Sequence, residues 1–180
     1  WWAWGDAGRV GEGREGNTGR MAPGECVAQS VAAQSKKNVV WWAGSCIVHE
    51  LYKAEDLRAY RESDPDIKII AHPECTPEVV AEADFTGSTR GIIDWVHEHK
   101  PAKVMLVTEC SMATNISDEL PEVDFAKPCN LCPYMKKITL EKILWSLHTM
   151  SEEVVVDPEI ASKARLAVQR MIELSKSLNI

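Results

Sequence analysis

Apolar and polar positions along this chain switch between a helical and a strand period, and the switches mark its elements. Over 27–37 the alanines and valines fit a short helix ending in Lys36 and Lys37, cations suited to a helix C-terminus. NVVWW at 38–42 is a continuous apolar run of the kind a buried parallel strand shows, and it stops at Gly44. Residues 50–62 read as a polar helix with Leu51, Ala54 and Leu57 on one face, broken by Asp64-Pro65. IKIIA at 67–71 is the next strand. Thr76 as N-cap, Pro77 at the first helical position and Glu78 in the first turn open a helix over 76–83. After an apolar step at Phe85, Gly87-Ser88-Thr89 opens another helix to about His99, with Ile92, Ile93 and Val96 as its core face. KVMLV at 103–107 is again a strand.

Downstream the pattern is looser. A polar loop leads through VDFAKP and CNLCPYM to a helix over about 139–149, and VVV at 154–156 reads as a last strand or an extended approach. Asp157-Pro158-Glu159 starts a closing helix whose Ile160, Ala164, Leu166, Ala167, Met171 and Leu174 keep a period near 3.6. Strand, short loop and helix in repetition predict an α/β fold: αβα layers with a mostly parallel sheet covered on both faces. Residues 1–28, tryptophans and then Gly, Arg and Glu without a period, read as an unassigned or disordered leader with Met21 inside it.

Composition narrows the function classes. At 180 residues there is room for one domain with a core, or a domain and a tail. A net charge of -7 gives no footprint for nucleic acid or an anionic membrane, and no apolar run approaches the ~18 residues of a membrane span. Asp6, Arg9 and Glu12 stand where a secretory signal would be apolar. Six cysteines in such a chain predict reduced thiols in the cytoplasm, hence metal or catalysis ahead of disulfides.

Candidate chemistry lies just past the strands, where open α/β sheets gather ligands. Cys46 follows the first run, His72 and Glu74 the second, and Thr108-Glu109-Cys110 the third. Ser88 and Thr89 at a helix start offer an anion site, although plain N-capping uses the same residues. CNLCPYM holds Cys129 and Cys132 as a CxxC followed by proline, which leaves iron-sulfur, zinc and disulfide chemistry open. Glu109 receives no role, Cys75 and Cys110 read as spectators, and His97, His99 and His148 as ordinary helix histidines.

WWAGSCIVHE, AHPE, GST, LVTEC and CNLCPYM, in that order and spacing, resemble the C-terminal half of the quinolinate synthase (NadA) family. The resemblance runs from about Val27 to the end. It implies the last part of three similar αβα domains around a pseudo-threefold axis: 29–45 would end the second domain, 46–135 form the third, and 136–180 supply C-terminal helices. Each domain gives one cysteine to a central 4Fe-4S cluster whose fourth iron site stays open. By resemblance Cys46 and Cys132 are the second and third cluster ligands, and Cys129 is none. The implied enzyme is a cytoplasmic transferase of NAD biosynthesis, condensing iminoaspartate with dihydroxyacetone phosphate to quinolinate with the cluster as Lewis acid. Glu74 would then be the acid/base, His72 a substrate contact, His49 a proton relay near the cluster, and Ser88 and Thr89 a phosphate or carboxylate cradle.

The family's N-terminal half, with the first cluster cysteine and the tyrosine- and asparagine-containing turns that close on substrate, is not found before residue 27, and Cys26 lacks the surroundings to replace that cysteine. Two thiolates of three predict weak or absent cluster binding and no useful activity for these residues alone; the missing half is needed for a complete site. The alternatives are a zinc- or redox-thiol module on Cys129 and Cys132, or an inactive partial chain. Against zinc there stands the lack of a second CxxC or a suitably spaced histidine pair.

Overall fold

The computed structural model describes residues 18–21, 24–34, 38–41, 43–126 and 128–178, in two units, Trp1–Cys132 and Pro133–Ile180. Most of the leader, Lys36, Lys37 and Trp42 fall outside those residues.

The first unit begins where the sequence shows no period. Strand β1 (Thr18–Met21) leads to helix α1 (Glu25–Gln34) and strand β2 (Asn38–Trp41), and the two strands pair in parallel with Thr18 opposite Asn38. β2 therefore belongs to a separate two-stranded sheet and not to the series that follows. α1 buries Val27, Ala28 and Val31. Its start abuts the turn after β2: Glu25 N–H donates to Gly44 O at 2.7 Å, and a Cβ on Gly24 would stand 2.7 Å from that oxygen. Glycine at position 24 lets the helix close on the turn that carries Cys46.

The main sheet is parallel throughout, in the order β4-β3-β5-β6, with β3 (Lys68–Ala71), β4 (Phe85–Thr86), β5 (Lys103–Val107) and β6 (Asp124–Ala126). Helices α2 (Ala54–Ser63), α3 (Pro77–Ala81), α4 (Thr89–His99) and α5 (Cys110–Glu119) connect it. Ile69, Ala71, Met105 and Val107 pack with Leu57 of α2 and Val79 of α3, whereas Ile70, Val104 and Leu106 pack with Ile92 and Val96 of α4 and Ile116 of α5. Successive strand residues point to opposite faces, so these two clusters are the two sides of one sheet. This is why the strands read as unbroken apolar runs, each buried Ile or Leu contributing roughly 1.5–3 kcal/mol.

Two details fix the strand ends. Asp84 N–H donates to Ile69 O at 2.7 Å, and Asp84 Oδ2 accepts from Ile69 N–H at 2.8 Å, which clips the entry of β4 to β3. Ser88 caps α4 by accepting from Gly91 N–H at 3.2 Å, whereas Thr76 stands at the N-cap of α3 without a side-chain bond.

The stretch expected to be a polar loop after Cys110 is α5. Ser, Thr, Asn and Asp lower its helix propensity, but burial of Ala113 and Ile116, three residues apart, and of Leu120 overrides that. In the second unit Thr139 caps α6 (Leu140–Thr149) by accepting from Lys142 N–H at 3.3 Å, and Asp157 Oδ1 accepts from Glu159 and Ile160 N–H to start α7 (Pro158–Leu178). VVV at 154–156 forms no strand: no neighbouring strand pairs with it. Among the described residues no helix is long and apolar enough to cross a membrane.

Candidate active site at the strand ends

After Gly44 the chain turns and makes a single 3-10 turn, His49–Leu51, with Glu50 N–H donating to Cys46 O at 3.1 Å. Val48 is buried beneath it, and Cys46 and His49, three residues apart, come to the same side as Glu74. One donor atom from each of Cys46, His49 and Glu74 lies within 4.8 Å of the others.

His49 is held from across the fold. Its Nε2 lies 3.1 Å from Thr108 Oγ1, just past β5, and Tyr52 O–H donates to Thr108 O at 2.5 Å. The same hydroxyl is 3.1 Å from Pro128 O, and burial pushes its pKa up to about 12, so it stays a donor. His72 stacks on His49 with ring centroids 4.7 Å apart. Burial, then the neighbouring His49, pull the His72 pKa down to about 4. His72 is therefore neutral near pH 7, and its Nδ1 accepts from Glu74 N–H at 3.3 Å. With the ring neutral and Nδ1 accepting, the 3.8 Å separation from Glu74 Oε2 is proximity and not an ion pair. Contact with His49 holds the Glu74 carboxyl below its ordinary range, against the opposing effect of burial. Glu74 Oε2 is 3.1 Å from His49 Nδ1, an ion pair when the imidazole is protonated, and Nδ1 is buried with no other partner.

Ser88 and Thr89 adjoin this group through Gly87, whose N–H donates to Ala71 O at 3.3 Å, next to His72. The Ser88 hydroxyl is engaged in its own cap. Cys132 is placed by its backbone: its N–H donates to Glu109 Oε1 at 3.3 Å, while Glu109 Oε2 accepts from Ser111 N–H at 2.8 Å. Thr108 and Glu109 thus anchor both thiol-bearing loops. Cys132 is not part of the Cys46, His49 and Glu74 group.

The cysteines depart from expectation. Cys110 and Cys129 form a disulfide, so disulfide chemistry is not behind metal chemistry here, Cys110 is no spectator, and the CxxC has only Cys132 left for zinc. Two cysteines widely spaced in sequence meet because Cys110 N–H donates to Asn130 O at 3.2 Å, laying the CNLC loop against the end of β5. Cys26, Cys46, Cys75 and Cys132 are free. Cys75 is buried, its thiol pushed by burial up to about 12, which makes it inert. His97 pairs with Glu119 at 3.3 Å and His99 Nδ1 lies 2.9 Å from Trp95 O, both ordinary helix contacts.

Tyr52, Thr108 and Glu109 received no role from sequence. The one signal was position: Thr108 and Glu109 directly follow a buried strand, and Tyr52 stands three residues beyond His49.

The sequence matches the family described as Quinolinate synthetase A protein over residues 15–173. The chain belongs to the quinolinate synthetase A family. It is 53% identical over 167 residues to the quinolinate synthase of Sinorhizobium medicae (strain WSM419), covering 93% of this chain and 46% of that protein. To the quinolinate synthase of Sinorhizobium fredii (strain NBRC 101917 / NGR234) it is 54% identical, with the same coverage of 93% and 46%. To quinolinate synthase 1 of Mesorhizobium japonicum (strain LMG 29417 / CECT 9101 / MAFF 303099) it is 53% identical, covering 84% and 47%. The chain spans about half the length of these curated relatives, and the quinolinate synthetase A match includes β1, which lies within the stretch read from sequence as a leader.

Proposed function

We propose that this chain is the C-terminal half of a quinolinate synthase of NAD biosynthesis, which condenses iminoaspartate with dihydroxyacetone phosphate to give quinolinate, phosphate and water. The observation that carries the reading is the gathering of Cys46, His49, His72 and Glu74 beside Thr108, in a chain about 53% identical to proteins named quinolinate synthase.

The donor set fits a 4Fe-4S cluster in part. Cys46 and Cys132 are free, partly exposed thiols on two loops that both hang from the Thr108-Glu109 corner, and they would hold it together with a third thiolate from outside these residues. When bound, the cluster supplies a Lewis acid for the departing hydroxyl. The remaining roles fall to side chains. Neutral His72 offers an N–H to a carbonyl or carboxylate oxygen of substrate. Ionised Glu74 takes a proton from carbon and returns it during enolisation and tautomerisation. His49, between Glu74 and Thr108, passes protons to and from that carboxylate. The α4 N-terminus at Ser88 and Thr89 presents first-turn N–H groups to a phosphate or carboxylate.

Quinolinate formation by the protein at the full length of its relatives is the test. Glu74→Gln should lower kcat by roughly 10²–10⁴-fold, the usual worth of a positioned acid/base, and leave the iron content unchanged. Full-length protein that makes no quinolinate, or a Glu74→Gln variant with full activity, overturns the reading.

A further inference from the structure

Among the described residues the core buries two side chains of polar or charged type, His49 and Thr108, each 5% exposed. They face each other, with His49 Nε2 at 3.1 Å from Thr108 Oγ1. Position 108 continues the apolar run of β5, where a valine would bury without penalty, whereas a buried hydroxyl costs free energy unless it is paired. The end of β5 also holds the second histidine: His72 N–H donates to Val107 O at 3.1 Å, and its ring stacks on that of His49 with centroids 4.7 Å apart. Thr108 is itself fixed by Tyr52, whose O–H donates to the Thr108 carbonyl at 2.5 Å. Turning the His49 ring over would put carbon where both nitrogens stand and lose Thr108 and Glu74 together.

The direction of the Thr108 bond follows from Glu74. A glutamate carboxylate is ionised near neutral pH and only accepts hydrogen bonds. With Glu74 Oε2 at 3.1 Å from His49 Nδ1, a bare nitrogen there would set two lone pairs against each other, so the proton of the neutral ring sits on Nδ1. Nε2 is then the acceptor, and the hydroxyl of Thr108 must donate to it. We propose that Thr108 is a positioning residue for the acid/base pair: its O–H donates to His49 Nε2 and keeps Nδ1–H turned toward Glu74. This rests on the roles given above to His49 and Glu74. A hydroxyl also accepts, so the same contact serves the ring while Nε2 carries a proton. Valine at 108 would serve neither state, and serine would serve both.

The test is nitrogen-15 NMR of the histidine rings in the full-length protein, kept free of iron so that no metal broadens the signals. It is run at about pH 8.5, two units above the ordinary imidazole value of ~6.5, and the His49 signals are those that vanish in His49→Gln. The parent should carry its ring proton on Nδ1. The signal of bare Nε2 should shift in Thr108→Val, which removes the donor, and return toward the parent position in Thr108→Ser. In the cluster-loaded protein, Thr108→Val should lower kcat roughly 10–100-fold with KM changed less than about twofold, part of the 10²–10⁴ that a positioned acid/base is worth, and Thr108→Ser should recover most of it. Circular dichroism checks each fold, and should Thr108→Val not fold, the tautomer of the parent decides alone. A ring proton on Nε2, an Nε2 signal unmoved in Thr108→Val, or full kcat in that variant overturns the proposal. A full-length protein that makes no quinolinate yet shows these ring signals overturns the functional reading above and supports the Thr108 bond.

Discussion

His49 Nε2 and Thr108 Oγ1 meet at 3.1 Å across 59 residues of sequence, and both side chains are buried. Through this contact the turn carrying Cys46 is fixed to the end of β5, whose next residue, Glu109, holds the loop carrying Cys132. One corner of the sheet thereby positions two thiols that lie far apart in the chain.

Removing the hydroxyl of Thr108 should expose that dependence. Thr108→Val leaves a buried imidazole nitrogen unpaired, so stability should fall by about 1–3 kcal/mol, while Thr108→Ser keeps most of it. Urea denaturation of the three proteins measures the difference.

The disulfide should carry a comparable share. Cys110 and Cys129 are 19 residues apart, and closing a loop of that size restricts the unfolded chain by about 3 kcal/mol. Reductant should lower the denaturation midpoint of the parent and leave that of Cys129→Ser unmoved.

Acid should weaken the β3–β4 edge through Asp84. Burial raises this carboxyl, but the bond from Ile69 N–H together with Arg61 outweighs it, and the group sits below its ordinary 3.8. A depressed carboxylate stabilises the fold above the unfolded pKa and loses that contribution as pH falls through the folded one, so the loss should come below about pH 4. Asp84→Asn should cost about 1 kcal/mol at pH 7, reduced from the usual charged-bond figure because the side chain is partly exposed, and should flatten the acid limb of stability against pH.

How much of this was legible in the sequence depended on whether an element's reason was local. IKIIA and KVMLV show their double burial directly, because both faces of a parallel strand are covered and every position must be apolar. Cys46, His72 and Glu74 could be named because they follow runs that had to be strands. β1 was hidden, since Thr18–Met21 carries no apolar alternation and is a strand through its pairing with β2. α5 was hidden by polar residues whose helix propensity is low until Ile116 is buried. The Cys110–Cys129 pairing, the Thr108 anchor and the Glu109 brace are contacts between segments, which no local pattern encodes.

Whether Cys46 and Cys132 are two ligands of one cluster is decided by the iron and sulfide content of the full-length protein after anaerobic reconstitution. Four irons and four sulfides per chain are expected in the parent. Cys46→Ser and Cys132→Ser should each lose most of both, with Cys129→Ser unchanged. A parent chain without a cluster, or a cluster undiminished in Cys132→Ser, would contradict it.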